Sequence, residues 1–305
     1  MRALVTPEKG SHVTYAPARG GDVSIGSGVT VHRPGLGAMR ITGPGAWGEP
    51  PDRQAAIDVL RQAVELGVDF IDTADAYGPF VSEELIAAAL YPYDGVTVGT
   101  KGGLVRTGPD AWHCLGRPEY LRQCVEMSLR RLRLDRIELY QLHRIDPRVP
   151  LIEQVGVLDD MRAEGKIHHI GLSEVTVAEL AEARLIAPVA SVQSSYSLLN
   201  RRSDKVLDYC MGKGLAFICS SPVDGGELAR SPGPVAAIAR QAGRTPAQVA
   251  LAWLLHRSPA LLPIPGTASV THVRENVGVG KIELSAGQYA ALAGLTGRDA
   301  APGPA

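Results

Sequence analysis

Short apolar segments alternate with amphipathic helical segments along most of this chain. Continuous runs rich in Val, Ile and Leu are typical of parallel strands that are buried on both faces. Eight segments of this kind occur in the order PGLGAM, DFIDTAD, GVTVGTK, IELYQLH, HHIGLSE, ASVQSSY, AFICSS and LLPIPG. The pattern predicts an α/β fold in which each strand is followed by a helix.

The helical segments have recognisable ends. Several begin with Asp, Ser or Thr, which cap the first turn, and end at Gly. The predicted helices include DRQAAIDVLRQAVELG, VSEELIAAAL, PEYLRQCVEMSLRRL, IEQVGVLDDMRAEG, VAELAEARLI and TPAQVALAWLLHR. Eight strand and helix units close most simply into a (β/α)8 TIM barrel, whose active site forms at the carboxyl ends of the strands.

The chain ends differ from the barrel in pattern. The segment DVSIGSGVTVHR alternates on both sides of a Gly-containing turn and predicts an N-terminal β-hairpin that acts as a lid or plug. Residues 1–20 are poor in apolar side chains, so we expect a flexible leader, and a C-terminal tail over 298–305. The length of 305 residues and the lack of a long linker favour a single domain over 21–297.

An open doubly wound sheet is the alternative fold, because GPGAWG at 43–48 has the GxGxxG spacing of a dinucleotide-binding turn. Pro44, however, lacks the N–H that a phosphate cradle uses. The EPPD that follows delays any helical period, so no helix N-terminus abuts the glycines. An irregular loop is the favoured interpretation.

Charge and composition limit the classes of molecule that this protein is expected to bind. The formal net charge is -1 with both signs mixed along the chain, which argues against nucleic acid and favours a small-molecule ligand. No apolar stretch approaches the ~20 residues of a membrane span, and no signal peptide is recognisable, so we expect no membrane contact and a cytoplasmic protein. The four cysteines lack metal or CxxC spacing and are interpreted as reduced thiols. Oligomeric state stays open.

Four polar residues follow or close predicted buried strands. Asp72 and Tyr77 lie in DFIDTADAYG, Lys101 ends VTVGTK, and His143 ends IELYQLH. Burying polar side chains is costly, so four of them at strand ends indicate a shared cleft. The carboxyl ends of the strands meet at one end of a barrel, which is where such a cleft would form. Each residue alone has a structural interpretation, but the four together predict a catalytic site.

The same four residues suit carbonyl chemistry. A Tyr hydroxyl donates a proton poorly near neutral pH unless a cation stabilises its phenolate, and Lys101 can be that cation beside Tyr77. A carboxylate such as Asp72 keeps a buried Lys protonated. His143 can hydrogen-bond a carbonyl oxygen that gains negative charge as a hydride reaches its carbon.

Six motifs occur in order over nearly the whole chain, from about Asp22 to Leu295: FIDTADAYG, VGTKGG, LYQLHR, GLSE, VQSSYSLLNR and PIPGTASVTHVREN. In these motifs the chain resembles the aldo-keto reductase family. The resemblance implies a (β/α)8 barrel that binds NADPH or NADP+, with NADH less favoured, and that reduces an aldehyde or ketone. It also implies Tyr77 as the general acid, Lys101 lowering its pKa, Asp72 holding Lys101, and His143 orienting the carbonyl.

The resemblance further implies a cofactor site. Ser173 and Gln193 match positions that hydrogen-bond the nicotinamide carboxamide. The segment that grips the adenosine end is matched by Gly266, Thr267, Ser269, His272, Glu275 and Asn276. Where some members aim Lys and Arg at the 2′-phosphate, this chain has Gly266 and His272, with Arg274 close by in sequence. His272 and Arg274 are therefore the side chains that could contact that phosphate.

One departure from the family falls at Ser220, where an aromatic ring usually stacks on the nicotinamide. A stacked ring contributes on the order of 1 kcal/mol, so its loss predicts cofactor binding weaker by about fivefold to tenfold unless Tyr196 or another ring substitutes. Ser220 stays in the predicted cofactor site. Arg40 and Arg144 directly follow strands, and surface ion pairing is the favoured interpretation over contact with an anionic substrate.

We therefore expect an NADP(H)-dependent oxidoreductase acting on a small carbonyl compound. Two alternatives stay open: an alcohol dehydrogenase working in the reverse direction, and a regulatory or interaction protein on the same fold, as in the potassium-channel β-subunit.

Overall fold

The computed structural model describes residues 20–226 and 233–295, so the predicted leader, apart from Gly20, and the predicted tail lie outside the described residues. The strands are β1 (Asp22–Ser24), β2 (Thr30–His32), β3 (Leu36–Gly37), β4 (Phe70–Asp72), β5 (Thr97–Gly102), β6 (Leu104–Gly108), β7 (Ala111–Cys114), β8 (Ile137–Leu142), β9 (Ile167–Ser173), β10 (Val189–Ser195), β11 (Ala216–Ser220) and β12 (Leu261–Pro263). The helices are α1 (Arg53–Glu65), α2 (Val81–Leu90), α3 (Pro118–Leu132), α4 (Leu151–Ala163), α5 (Val177–Ile186), α6 (Asp204–Lys213), α7 (Pro234–Ala242), α8 (Pro246–Arg257), α9 (Val270–Val277) and α10 (Ala286–Ala293).

Eight strands form one parallel sheet in the order β12, β11, β10, β9, β8, β5, β4, β3. The sheet closes on itself, because Gly37 pairs with Gly266 and the Gly35 amide donates to the Pro263 carbonyl at 3.0 Å. A Cβ on Gly37 would lie 2.8 Å from the Ile264 carbonyl oxygen, so this close approach requires glycine. The predicted α/β barrel is confirmed, and each predicted apolar segment overlaps one barrel strand to within a residue.

The predicted N-terminal hairpin is confirmed as β1 and β2, which pair antiparallel with Asp22 opposite His32. Its apolar side chains are buried in one cluster with the first residues of several barrel strands, among them Phe70, Ala190 and Ala216. The His32 amide also donates to the Asp69 carboxylate at 2.8 Å, just before β4. The hairpin therefore plugs the amino-terminal end of the barrel and leaves the carboxyl end for chemistry.

A second hairpin, β6 with β7, follows β5 at the carboxyl end and was not predicted. Arg106 holds it in place with hydrogen bonds to five backbone carbonyls, of Gly45, Ala46, Ala76, Gly108 and Ala111. The hairpin thus depends on carbonyls from the loops after β3 and β4, which a local apolar pattern does not reveal. The GPGAWG segment forms an irregular loop, as predicted, since α1 begins only at Arg53.

Within the described ranges, no helix is both long and apolar enough to cross a membrane. Across the same ranges, no group of three or more His, Cys, Asp or Glu side chains is arranged to hold a metal ion.

Candidate active site

The four residues predicted for catalysis converge at the carboxyl end of the barrel. Asp72 ends β4, Lys101 lies near the end of β5, His143 directly follows β8, and Tyr77 lies in the loop after β4. Strand β5 pairs with β4 on one side and β8 on the other, with Lys101 opposite Gln141. The parallel register therefore brings these side chains together.

A buried ion pair forms the centre of the site. Lys101 Nζ donates to Asp72 Oδ2 at 2.6 Å and to the Thr73 carbonyl at 2.6 Å. Both side chains are almost fully buried, with exposed fractions of 0% and 3%. Burial acts to lower the pKa of Lys101, but the Asp72 carboxylate and Tyr77 outweigh it, so the pKa is raised. The Lys101 ammonium is therefore charged.

Two amide side chains complete the shell around Asp72. Gln141 Nε2 donates to Asp72 Oδ1 at 3.0 Å, and Gln193 Nε2 donates to the same oxygen at 2.7 Å. With Lys101 on the other oxygen, the carboxylate is satisfied on both sides, as a buried charge requires. Gln193, expected at the nicotinamide carboxamide, thus also orients Asp72.

Tyr77 is buried against this ion pair. Lys101 Nζ lies 5.2 Å from the centre of the Tyr77 ring. Burial raises the pKa of the Tyr77 hydroxyl, and Lys101 acts in the opposite direction without reversing the shift. Lys101 thus lowers the pKa of Tyr77, as expected, but burial raises it by more. The Tyr77 hydroxyl therefore holds its proton at neutral pH.

His143 and Trp112 form the neighbouring wall. The His143 and Trp112 rings meet the Tyr77 ring edge-on, with centroids 5.8 and 6.3 Å away. Burial, together with the cations Lys101, Arg144 and Arg106, lowers the pKa of His143 well below its usual value. The imidazole is therefore neutral near pH 7 and can offer one N–H to an oxygen in the cleft.

Three residues expected at the nicotinamide end are placed on neighbouring strands. Ser173, Gln193 and Ser220 all lie at or near the carboxyl ends of β9, β10 and β11, and β10 pairs with both neighbours. The Ser173 hydroxyl accepts a hydrogen bond from Arg144 at 3.0 Å. Hydroxyl and amide groups in this row are the chemistry that a carboxamide needs.

Tyr196 does not take the place of the missing aromatic ring. Its side chain is fully buried, its hydroxyl donates to Asp204 at 2.6 Å, and its ring packs edge-on against Phe217. The space beside Ser220 is therefore without the ring that Tyr196 was considered to supply.

The loop after β12 holds the residues expected at the adenosine end. The Thr267 hydroxyl lies 3.3 Å from His272 Nδ1 and accepts from the Ser269 amide at 3.0 Å. Glu275 and Asn276 lie in α9, which begins after Ser269, whereas Arg274 is turned to Gln62 of α1 at 2.8 Å. Gly266 meets Gly37 where the barrel closes. His272 and Arg274 both lie in α9, and His272 is the one whose side chain contacts this loop, at Thr267.

Two groups that contact the ion pair, Gln141 and the Thr73 carbonyl, were not predicted from the sequence, and the prediction for Arg144 was wrong. Gln141 is a polar residue inside the apolar run IELYQLH, and this exception to the pattern could have identified it. The contact with the Thr73 backbone carbonyl could not be predicted, because every residue has such a carbonyl. Arg144, interpreted as a surface ion-pair residue, forms no salt bridge with the described residues. It is half-buried and bonded to Ser173 instead.

Asp75, three residues beyond Asp72, is a second buried carboxyl with a testable property. Burial raises its pKa to about 7, with a further contribution from Glu83. The folded state therefore holds a proton that the unfolded state releases near pH 4, so this contribution to stability is lost as pH rises from about 4 to about 7.

We expect Asp75→Asn to remove the pH-dependent contribution of Asp75 to the free energy of unfolding. The free energy of unfolding of the variant should exceed that of the wild type increasingly between pH 4 and 7, by up to about 4 kcal/mol, and the difference should level off above pH 7. Urea unfolding at several pH values measures it. A difference that is independent of pH would contradict the assignment.

The chain is similar to known proteins over most of its length. The model of the aldo/keto reductase family matches residues 35–296. An uncharacterized oxidoreductase of Schizosaccharomyces pombe is 50% identical over 275 residues, which cover 90% of each chain. Pyridoxine 4-dehydrogenase of Escherichia coli is 42% identical over 275 residues, covering 88% of this chain and 96% of the relative.

Two solved structures agree with this match. A glycerol dehydrogenase from Gluconobacter oxydans superposes with a TM-score of 0.82 at 25% identity, covering 90% of this chain and 94% of the other. An aldo-keto reductase from Klebsiella pneumoniae in complex with NADPH superposes with a TM-score of 0.77 at 27% identity, covering 89% and 93%.

Proposed function

Since the chain belongs to the aldo/keto reductase family and is an oxidoreductase of that family, we propose that it reduces an aldehyde or ketone with NADPH, using Tyr77 as the proton donor. One observation supports this most: Lys101 Nζ lies 5.2 Å from the centre of the Tyr77 ring and is held by Asp72 at 2.6 Å. The alternative of a regulatory or interaction protein is less well supported, because the four residues predicted for catalysis are all present together and a relative that is 42% identical is named as an enzyme.

Each residue of the cluster has one task. The hydride would come from NADPH when that cofactor is bound. Tyr77 donates its hydroxyl proton to the carbonyl oxygen, and Lys101 stabilises the phenolate that forms. Asp72 keeps Lys101 protonated, and Gln141 and Gln193 keep Asp72 oriented. Neutral His143 offers an N–H to the same carbonyl oxygen and thereby orients it.

The side chains present fit a nicotinamide dinucleotide. Ser173 and Gln193 would hold the carboxamide, next to Ser220. Thr267, Ser269, His272, Glu275 and Asn276, with Gly266 before them, would hold the adenosine end, and His272 favours NADPH over NADH. A relative of similar fold binds NADPH in its crystal structure, which supports the same choice.

The proposal is tested by titrating the protein with NADPH and with NADH and monitoring tryptophan fluorescence. Trp112 lies beside Tyr77, so its emission should report binding at the site. We expect micromolar NADPH binding, weaker NADH binding, and NADPH consumption with at least one aldehyde of a broad panel. Absence of binding by either nucleotide would contradict the proposal.

We expect Ser220→Trp to strengthen NADPH binding by about fivefold to tenfold, because the new ring can stack on the nicotinamide. Ser220→Ala is the matched control and should leave the dissociation constant within about twofold. Equal affinities of the Trp variant and the wild type would show that no ring is missing at this position.

Alcohol oxidation is a second candidate for the same site, because two relatives are named pyridoxine 4-dehydrogenase and glycerol dehydrogenase. Oxidation requires Tyr77 to accept the proton instead of donating it, so it should rise with pH while reduction falls. Initial rates with NADP+ and pyridoxine or glycerol, measured beside the reduction of pyridoxal and glyceraldehyde, decide which direction dominates.

A further inference from the structure

Arg144 is a cation at the reacting end of the barrel that the proposed chemistry does not use. It directly follows His143, and its Nη1 donates to the His143 carbonyl at 2.7 Å and to the Ser173 hydroxyl at 3.0 Å. Its charge also acts to lower the pKa values of Tyr77 and His143, so it lies within electrostatic reach of both. The guanidinium therefore contacts the proposed nicotinamide site at Ser173 and the backbone of His143, next to the proposed substrate groups in sequence.

No carboxylate of the described residues neutralises Arg144. Asp72 is taken by Lys101, and Asp146 by Arg148 at 2.9 Å. Arg106, a further cation at this end, is saturated by backbone carbonyls and lies 3.5 Å from the centre of the Trp112 ring. Arg144 is thus a half-buried cation that still has unused hydrogen-bonding capacity.

The unused donors of Arg144 suit a planar anion. Both hydrogen bonds come from Nη1, and Nε and Nη2 donate to no described residue, although neither is sealed from solvent. These two nitrogens form the edge of the guanidinium that binds a carboxylate or phosphate with two parallel hydrogen bonds. A half-buried, unpaired charge is unfavourable in the free protein and becomes favourable when an anion arrives.

We propose that Arg144 binds a carboxylate or phosphate group of the substrate, so that the preferred substrates are anionic carbonyl compounds. This inference rests on the proposed function for the identity of the reacting group. The anion lies against Arg144, one residue beyond His143, while the carbonyl oxygen of the same molecule lies between Tyr77 and His143. Arg144 is then a specificity-determining residue, separate from the proton donor.

Matched substrate pairs test this inference. The pairs are 3-carboxybenzaldehyde with its neutral methyl ester, and glyceraldehyde 3-phosphate with glyceraldehyde; they separate carboxylate from phosphate as the preferred anion. In the wild type, kcat/KM for at least one anionic member should exceed that of its neutral partner by about tenfold or more. Arg144→Met should reduce this ratio by about 10- to 100-fold, mainly through KM.

Two variants serve as comparisons. Arg144→Lys keeps the charge but not the two-nitrogen edge, so it should retain part of the preference. Arg136→Met removes the same charge at the other end of β8, where Arg136 is exposed and pairs with Glu138 at 2.7 Å, and should leave the ratio unchanged.

A binding measurement separates this inference from the proposed function. Benzoate has no carbonyl to reduce, and its titration by tryptophan fluorescence should give binding in the wild type that is lost in Arg144→Met. If the wild type reduces no carbonyl compound but binds benzoate in a manner that depends on Arg144, the proposed function is contradicted and the anion site is supported. Equal losses for charged and neutral substrates, accompanied by weaker NADPH binding, would overturn the anion site and assign Arg144 to positioning Ser173.

Discussion

Tyr77→Phe is expected to lower kcat for carbonyl reduction by about 100- to 10,000-fold while the fold and NADPH binding are retained. The substitution removes one oxygen, the proposed proton donor, and keeps the ring that packs edge-on against Trp112 and His143. The loss should appear in kcat more than in KM, because the proton moves in the transition state. Single-turnover NADPH oxidation, with the dissociation constant measured separately, distinguishes these quantities.

Tyr140→Phe is the matched control. Tyr140 lies on β8, is fully buried, and has a hydroxyl with no hydrogen-bond partner among the described residues. Removing that oxygen deletes the same atom type close to the site without touching the proposed chemistry, so kcat should be unchanged. Near-normal kcat in Tyr77→Phe would show that another group donates the proton.

The pH dependence provides an independent check of the same role. Reduction needs the protonated hydroxyl, and burial raises the pKa of Tyr77. The rate of reduction should therefore stay level through neutral pH and fall only on the alkaline side. The residual activity of Tyr77→Phe should lack that alkaline fall.

Breaking the ion pair of Lys101 with Asp72 is expected to have the largest effect on stability. Asp72→Asn leaves Lys101 buried without an anion, and Lys101→Met leaves Asp72 buried without a cation. Each single variant should lower the free energy of unfolding by about 3–5 kcal/mol, and each should lose most of its reductase activity. Denaturant unfolding and NADPH oxidation measure the two effects.

The double variant Asp72→Asn/Lys101→Met distinguishes a pair from two separate contributions. It contains no uncompensated buried charge, so it should be more stable than either single variant, although equally inactive. Asp159→Asn is the control at a partly exposed pair, with Arg162 at 2.7 Å, and should change stability by no more than about 1 kcal/mol. A double variant with the summed destabilisation of the two single ones would argue against coupling.

The barrel could be predicted because its causes are local or periodic. Parallel strands buried on both faces require continuous apolar runs, and all eight runs became strands. The alternation in DVSIGSGVTVHR likewise predicted the hairpin that plugs the barrel. The convergence of Asp72, Tyr77, Lys101 and His143 followed from their places after these runs, because parallel strands end together.

The sequence by itself thus determined the eight barrel strands, their order and the four residues at the carboxyl end. Only the tertiary structure decided the partners of those residues: Gln193 binds Asp72 across 121 positions, and Arg106 holds a hairpin through loop carbonyls. It also decided that burial outweighs Lys101 at Tyr77, and that Arg144 faces Ser173 without a carboxylate. Desolvation and hydrogen-bond partners depend on which side chains pack together across the closed barrel, and periodicity along the chain holds no information about such contacts.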